Sequence, residues 1–157
     1  NAGRANTGGS DWTAIGSEAG ARNTTGNFWT AIGKGSGQLN TTGSNWTAIG
    51  TKAGRFTKGV LQSDLKYFEN STYIGANTKG TNGTNIALTN NETVIGYGAE
   101  GNGSNTVTIG SSVVTANYFN GDVHVGGTDT GIILTNPSGN KYKLTVTNTG
   151  TLDITPV

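Results

Sequence analysis

The chain has 157 residues, with ten basic and nine acidic side chains, 27 glycines and no cysteine. A formal net charge of +1 gives no support for nucleic acid as the main partner. Without cysteine there is no disulfide framework and no Cys-based metal or redox site. Leu, Ile, Val and Phe number only 30, near the level at which a chain cannot bury a core, but disorder normally brings high net charge as well. No apolar run is long enough to span a bilayer. The start at Asn1 rather than Met points to a fragment or a processed product.

In chain order, the first signal is a repeat. Trp-Thr-Ala-Ile-Gly stands at 12–16, 29–33 and 46–50, an interval of 17 residues, each copy preceded by an Asn/Thr/Gly turn such as Asn23-Thr24-Thr25-Gly26. Degenerate copies follow at Thr72-Tyr73-Ile74-Gly75, Thr93-Val94-Ile95-Gly96 and Val107-Thr108-Ile109-Gly110, the last pair 14 residues apart. Fixed-interval self-similarity marks a solenoid. Strand alternation puts Thr13/Ile15, Thr30/Ile32, Thr47/Ile49, Thr72/Ile74, Thr93/Ile95 and Val107/Ile109 on one face, expected to point inward. The glycine after each isoleucine suits a sharp corner. Ala19, Ser36, Ala53, Thr78, Ala99 and Val113, four residues after each isoleucine, form an expected second inward column. With two short strands per coil, one coil buries too little to offset ordering its residues at about 1–2 kcal/mol each, so several chains are expected to share a core. Closed three-fold association is the expected arrangement.

The Ile-Gly-x-x-Ala unit resembles the head repeat of YadA-type trimeric autotransporter adhesins. The Asn-Thr-Thr-Gly-x-x-Trp-Thr-Ala-Ile-Gly form resembles the longer repeat of phage and phage-like tail fibres. The likeness covers about residues 6–115 and implies a left-handed parallel β-roll trimer. The 17-residue period and the threonines in place of valine depart from the adhesin pattern.

Residues 55–70 interrupt the repeat and are expected to form a side loop closing over the trimer groove or a receptor-contact loop. Val60/Leu61, Leu65 and Phe68 would share one face of a short helix there. From residue 116 the texture changes. Asn120-Gly121 predicts a turn followed by an alternating strand with Val123, His124 and Val125. Gly131-Ile132-Ile133-Leu134-Thr135 reads as another strand, and Asn136-Pro137-Ser138-Gly139 as a type I turn. Tyr142, Leu144 and Val146 alternate with lysines and threonines, and Leu152 and Ile154 alternate after a turn at Asn148-Thr149-Gly150. The segment resembles the strands that close the trimer in many phage fibres.

Trp12, Trp29 and Trp46 lie opposite the isoleucines and would stack one coil apart. The lean core favours packing between chains; stacking on sugar rings is the alternative and makes these three the candidate ligand-binding residues. His124 lies between valines and reads as a surface or interface residue, with a three-fold metal site as the sharper alternative. Gly96-Tyr97-Gly98-Ala99-Glu100-Gly101 fits a dinucleotide fingerprint literally, but no helix pattern follows, so it reads as a repeat corner. Sequons at Asn23, Asn40, Asn70, Asn82, Asn91 and Asn102 follow from turn composition. The few scattered acids offer no catalytic set, although a cross-chain pair such as Asp64 with Glu92 stays open.

The reading is therefore an all-β chain: a trimeric parallel β-roll or solenoid of 14–17-residue repeats over 1–115, with an insertion at 55–70. A short antiparallel β-meander over 116–157 closes the trimer. The expected function is a non-enzymatic structural and adhesive fibre segment presenting a multivalent receptor-binding surface on a phage-like tail fibre. A bacterial trimeric adhesin head and a purely structural stalk are the alternatives. Expected partners are two further copies, a host cell-surface glycan or protein receptor, and other fibre or particle components. No catalytic residue, metal, cofactor, nucleic-acid partner or membrane insertion is expected. The expected location is extracellular, on a virion tail fibre or a cell-surface appendage.

Overall fold

The computed structural model describes residues 1–58, 67–81, 89–126 and 131–157, and every regular element among them is a strand. Two compact units emerge, Asn1–Thr115 and Ala116–Val157. The first contains β1 (Thr13–Ile15), β2 (Trp29–Ile32), β3 (Trp46–Ile49), β4 (Phe56–Thr57), β5 (Phe68–Glu69), β6 (Thr72–Ile74), β7 (Lys79–Gly80), β8 (Thr89–Asn90), β9 (Thr93–Ile95) and β10 (Val107–Ile109). The second contains β11 (Ile132–Thr135), β12 (Lys141–Val146) and β13 (Leu152–Pro156).

The first unit is a β-solenoid. Its six repeat strands stack as one parallel sheet in the order β1-β2-β3-β6-β9-β10. The register follows the repeat: Thr13 pairs with Thr30, Thr30 with Thr47, Thr47 with Thr72, Thr72 with Thr93, and Thr93 with Val107. The register is therefore kept across the insertion, with Thr47 paired to Thr72. Each coil carries one strand of this sheet rather than the expected two. Among the described residues, second strands occur only locally, as the parallel pairs β4–β7 and β5–β8. Elsewhere the return path is made of turns bonded from coil to coil, for example Gly20 N to Ser36 O at 2.9 Å and Gly37 N to Ala53 O at 2.8 Å. The Asn/Thr/Gly bends leave too few consecutive extended residues for a longer ladder.

The sheet faces the other way from expectation. The isoleucine side is outward, with Ile15 58% and Ile109 53% exposed, whereas the alternate residues Ala31, Ala48, Tyr73 and Val94 are fully buried. Trp29 and Trp46 lie on that same buried side. Alternation defines two faces and is silent about which one the coil wraps around. The narrow interior decides it. A column of alanines leaves room for indole rings laid flat over one another, and the threonines keep their hydroxyls near water. The second column is inward for Ala19, Ser36, Ala53, Thr78 and Ala99, but not for Val113, which is 81% exposed because the sheet ends at β10.

Aromatic stacking fills the interior. Trp12, Trp29 and Trp46 stack with centroids 5.0 Å apart and planes 5° from parallel. Phe68 from β5 meets Trp46 edge-on at 5.2 Å, and Tyr73 meets Phe68 the same way at 5.0 Å. The indole N–H groups of Trp29 and Trp46 donate to the carbonyls of Gly26 and Gly43. Asn23 and Asn40 hold the same turns: each accepts from the glycine three residues on and donates to a carbonyl of the next coil. Gly37 is obligatory beneath this stack. Its φ is +52°, and a Cβ there would sit 2.4 Å from the Trp46 ring. At the corners, a Cβ on Gly50 would lie 2.7 Å from the Gly75 carbonyl carbon, so the coils close up only through glycine.

Where the tryptophans stop, large and small residues exchange places. Trp29/Ala31 and Trp46/Ala48 give way in the next coil to Ser71/Tyr73, all three pairs flanking the same threonine register position. One ring is still supplied, now from the other inward position. The following coil has Glu92/Val94. Glu92 is wholly buried, and its carboxylate accepts from the Tyr73 hydroxyl at 2.9 Å, Thr81 N at 3.1 Å, Thr81 Oγ1 at 3.0 Å and Gly103 N at 2.9 Å.

In the second unit, β11-β12-β13 form an antiparallel sheet. The turns fall where the sequence put them, with Gly139 N bonded to Asn136 O and Gly150 N to Thr147 O, both at 2.9 Å. The alternating strand expected after Asn120-Gly121 is absent: residues 116–126 form no strand, and Val123 and Val125 are exposed. A strand needs a neighbour to take its hydrogen bonds, and no described residue of the chain pairs with this segment.

Candidate interaction surfaces

Two apolar surfaces are left uncovered, one in each unit. On the solenoid, Ile15, Ile32, Ile49, Ile74, Ile95 and Ile109 form a single outward file, because the register stacks each above the next. At about 4.8 Å per rung, six rungs make a stripe roughly 24 Å long. Beside it runs the file Thr13, Thr30, Thr47, Thr72, Thr93 and Val107, half-buried or exposed throughout. Parallel sheets are normally covered on both faces, and here the described residues cover only the inner face.

On the second unit, the antiparallel register brings Ile132, Leu144 and Ile154 side by side, then Leu134, Tyr142 and Pro156, then Val146 and Leu152. All eight share one face, while Lys143, Thr145, Asp153 and Thr155 occupy the other. Ile132, Leu134, Val146, Leu152 and Ile154 are each exposed. A three-stranded sheet with a bare apolar face lacks the packing partner that such sheets depend on.

The candidate ligand residues separate. Trp29 and Trp46 are 1% exposed and present no face to a ligand in the single chain; Trp12, at the open end of the stack, is 40% exposed. His124 is exposed in the strandless segment. Among the described residues, no three His, Cys, Asp or Glu side chains gather into a metal-binding group. Gly96 and Gly98 have φ of +124° and +62°, so the fingerprint-like segment is a coil corner. Asn23 and Asn40, two of the sequon asparagines, are buried turn caps; Asn82 lies outside the described residues.

Of the insertion, Val60, Leu61, Leu65 and Asp64 lie outside the described residues. Phe68, expected on a helix face, is instead in β5 and fully buried. The Arg55 guanidinium sits 4.9 Å over the Phe56 ring. The buried Glu92 is tied into the interior, and Glu100 pairs with Lys79 at 2.7 Å. Burial pushes the Tyr73 hydroxyl well above the usual phenol range, and the charge and hydrogen bond of Glu92 add to that shift.

Sequence reasoning missed Phe28. It occupies the register position two residues before the strand threonine, where the backbone is left-handed in every coil: Asp11, Phe28, Asn45, Asn70, Asn91 and Asn105 have φ between +47° and +62°. Five of the six are Asp or Asn, which tolerate that region; phenylalanine does not. Only the left-handed backbone at this position sets Phe28 apart from Asp11 and Asn45 as an exception.

No protein-family model, no curated protein and no solved structure matches the chain.

Proposed function

We propose that the chain is a non-enzymatic fibre segment that assembles as a parallel homotrimer and presents a multivalent receptor-binding surface on a phage-like tail fibre. The observation that carries this reading is the outward isoleucine file. A single chain folds a compact interior around its tryptophans and still leaves one continuous apolar stripe along its length. Identical copies lying side by side about one axis would cover that stripe and keep every rung level with its counterpart. Closed cyclic symmetry then leaves no apolar face to propagate sideways. The bare face of the meander supports the same arrangement, since three copies would give each sheet the packing partner it lacks.

The resemblance of the repeats to YadA-type heads and to phage fibre repeats agrees with an elongated extracellular appendage. The meander after the repeats favours the fibre over a bacterial adhesin head. Three weak equivalent sites on one rod would act together at high effective concentration, which suits host attachment.

Sedimentation equilibrium tests the assembly. One chain is 16.0 kDa, so the expected species has three times that mass. A stable monomer at micromolar concentration refutes the reading. Labelled chain added to host cells separates an adhesive segment, which attaches, from a bare stalk, which does not.

A further inference from the structure

We infer that Phe28 is a saccharide-contact residue, an aromatic platform set in a polar rim on the turn edge of the solenoid; the inference rests on the receptor-binding reading above. The repeat supplies its own comparison. At the equivalent turn position Asp11 lies one coil before and Asn45 one coil after, both short polar residues suited to a left-handed backbone. Phe28 holds φ +55° with its side chain 60% exposed, so burial does not offset the unfavourable conformation. The backbone has no freedom to relax: Phe28 N donates to Ser10 O at 3.1 Å, and Asn45 N donates to Asn27 O at 3.0 Å. Strain kept at an exposed position by the surrounding scaffold points to a role outside folding.

The chemistry around the ring selects the ligand class. Ser10 Oγ donates to Asp11 Oδ2 at 3.0 Å, Ser10 N donates to Asn27 Oδ1 at 2.8 Å, and Asn27 N donates to Ser44 Oγ at 3.0 Å. An exposed aromatic side chain next in sequence to Asn27, and one register step from Asp11, matches a pyranose, whose ring carries an apolar C–H face and hydroxyls at its edge.

The test applies the full chain and its F28N and F28W variants to a printed array of neutral oligosaccharides, with thermal melts at matched concentration. The expected result is that the wild type binds at least one neutral oligosaccharide and F28W retains that binding. F28N weakens it by about tenfold. F28N, carrying the residue found one coil on, also melts higher, by about 2–4 °C. The inference is overturned if the wild type binds no saccharide, if F28N binds as well as wild type, or if F28N melts lower. Labelled chain that attaches to host cells equally with and without Phe28 overturns the inference and leaves the fibre reading standing. A chain that sediments as a monomer yet loses saccharide binding on F28N supports the inference and refutes the assembly.

Discussion

Replacing Trp29 by alanine removes the middle ring of the stack. The side chain is 1% exposed and lies between Trp12 and Trp46 at 5.0 Å on each side, so Trp46 cannot fill the gap without leaving Phe68 and Trp12 is left with no ring to stack on. Deleting a buried Trp in this way costs about 3–5 kcal/mol. The change also strips the Gly26 carbonyl of its indole donor, adding about 1 kcal/mol for a buried acceptor. The sum is about 4–6 kcal/mol, a large share of the roughly 5–15 kcal/mol that holds a domain together. Urea titration followed by tryptophan fluorescence and circular dichroism, at fixed chain concentration, should show the midpoint falling by about 2–3 M for an m-value near 2 kcal/mol/M. Trp12→Ala is the internal control. Its ring ends the stack and is 40% exposed, so its loss should cost less than half as much. A shift below about 0.5 M for Trp29→Ala, or a larger effect at Trp12 than at Trp29, would refute the claim that this column is the interior.

Further outcomes follow from the same packing. Gly37→Ala, which places a Cβ 2.4 Å from the Trp46 ring at φ +52°, should destabilise by about 2–4 kcal/mol in the same titration, whereas Gly121→Ala, with open space around it, should cost under about 1 kcal/mol. Ile49→Asp with Ile74→Asp charges the outward file while leaving the interior intact; the expected product is a chain with unchanged circular dichroism that sediments as a monomer, and an unaltered trimer would refute the proposed interface. For Tyr73 the raised hydroxyl means that above pH 10, the usual phenol value, the unfolded chain releases a proton that the folded chain keeps. Stability is therefore complete below that value and falls as pH rises through the folded one. Thermal melts between pH 8 and 11.5 should show this loss in wild type and a shallower slope in Tyr73→Phe.

The repeat made much of the solenoid legible before any coordinates. Ile-Gly spacing located all six strands of the sheet, and Thr47 pairing with Thr72 across the insertion is what alignment of the repeats anticipates. The meander was equally plain, because Asn136-Pro137-Ser138-Gly139 and Asn148-Thr149-Gly150 dictate where the chain reverses. Less legible were the places that depend on a neighbour. Val123 and Val125 alternate like a strand but have none to pair with among the described residues, and Val113 continues a column whose sheet has already ended. Among candidate site residues, the tryptophans stood out by repetition and Phe28 was hidden, since its distinction is conformational.

Sequence by itself determined the period, the register and the two faces of the strands, because these are consequences of spacing along one chain. The direction in which those faces point was decided only by the closed coil. Trp29 and Ala31 share a side, and an indole fits inside a coil this narrow only over alanine and over a glycine such as Gly37, whose seat lies on the return path of another rung. That fit is a three-dimensional volume constraint between residues many positions apart, which two-fold alternation cannot express. It is also what leaves the isoleucines outside.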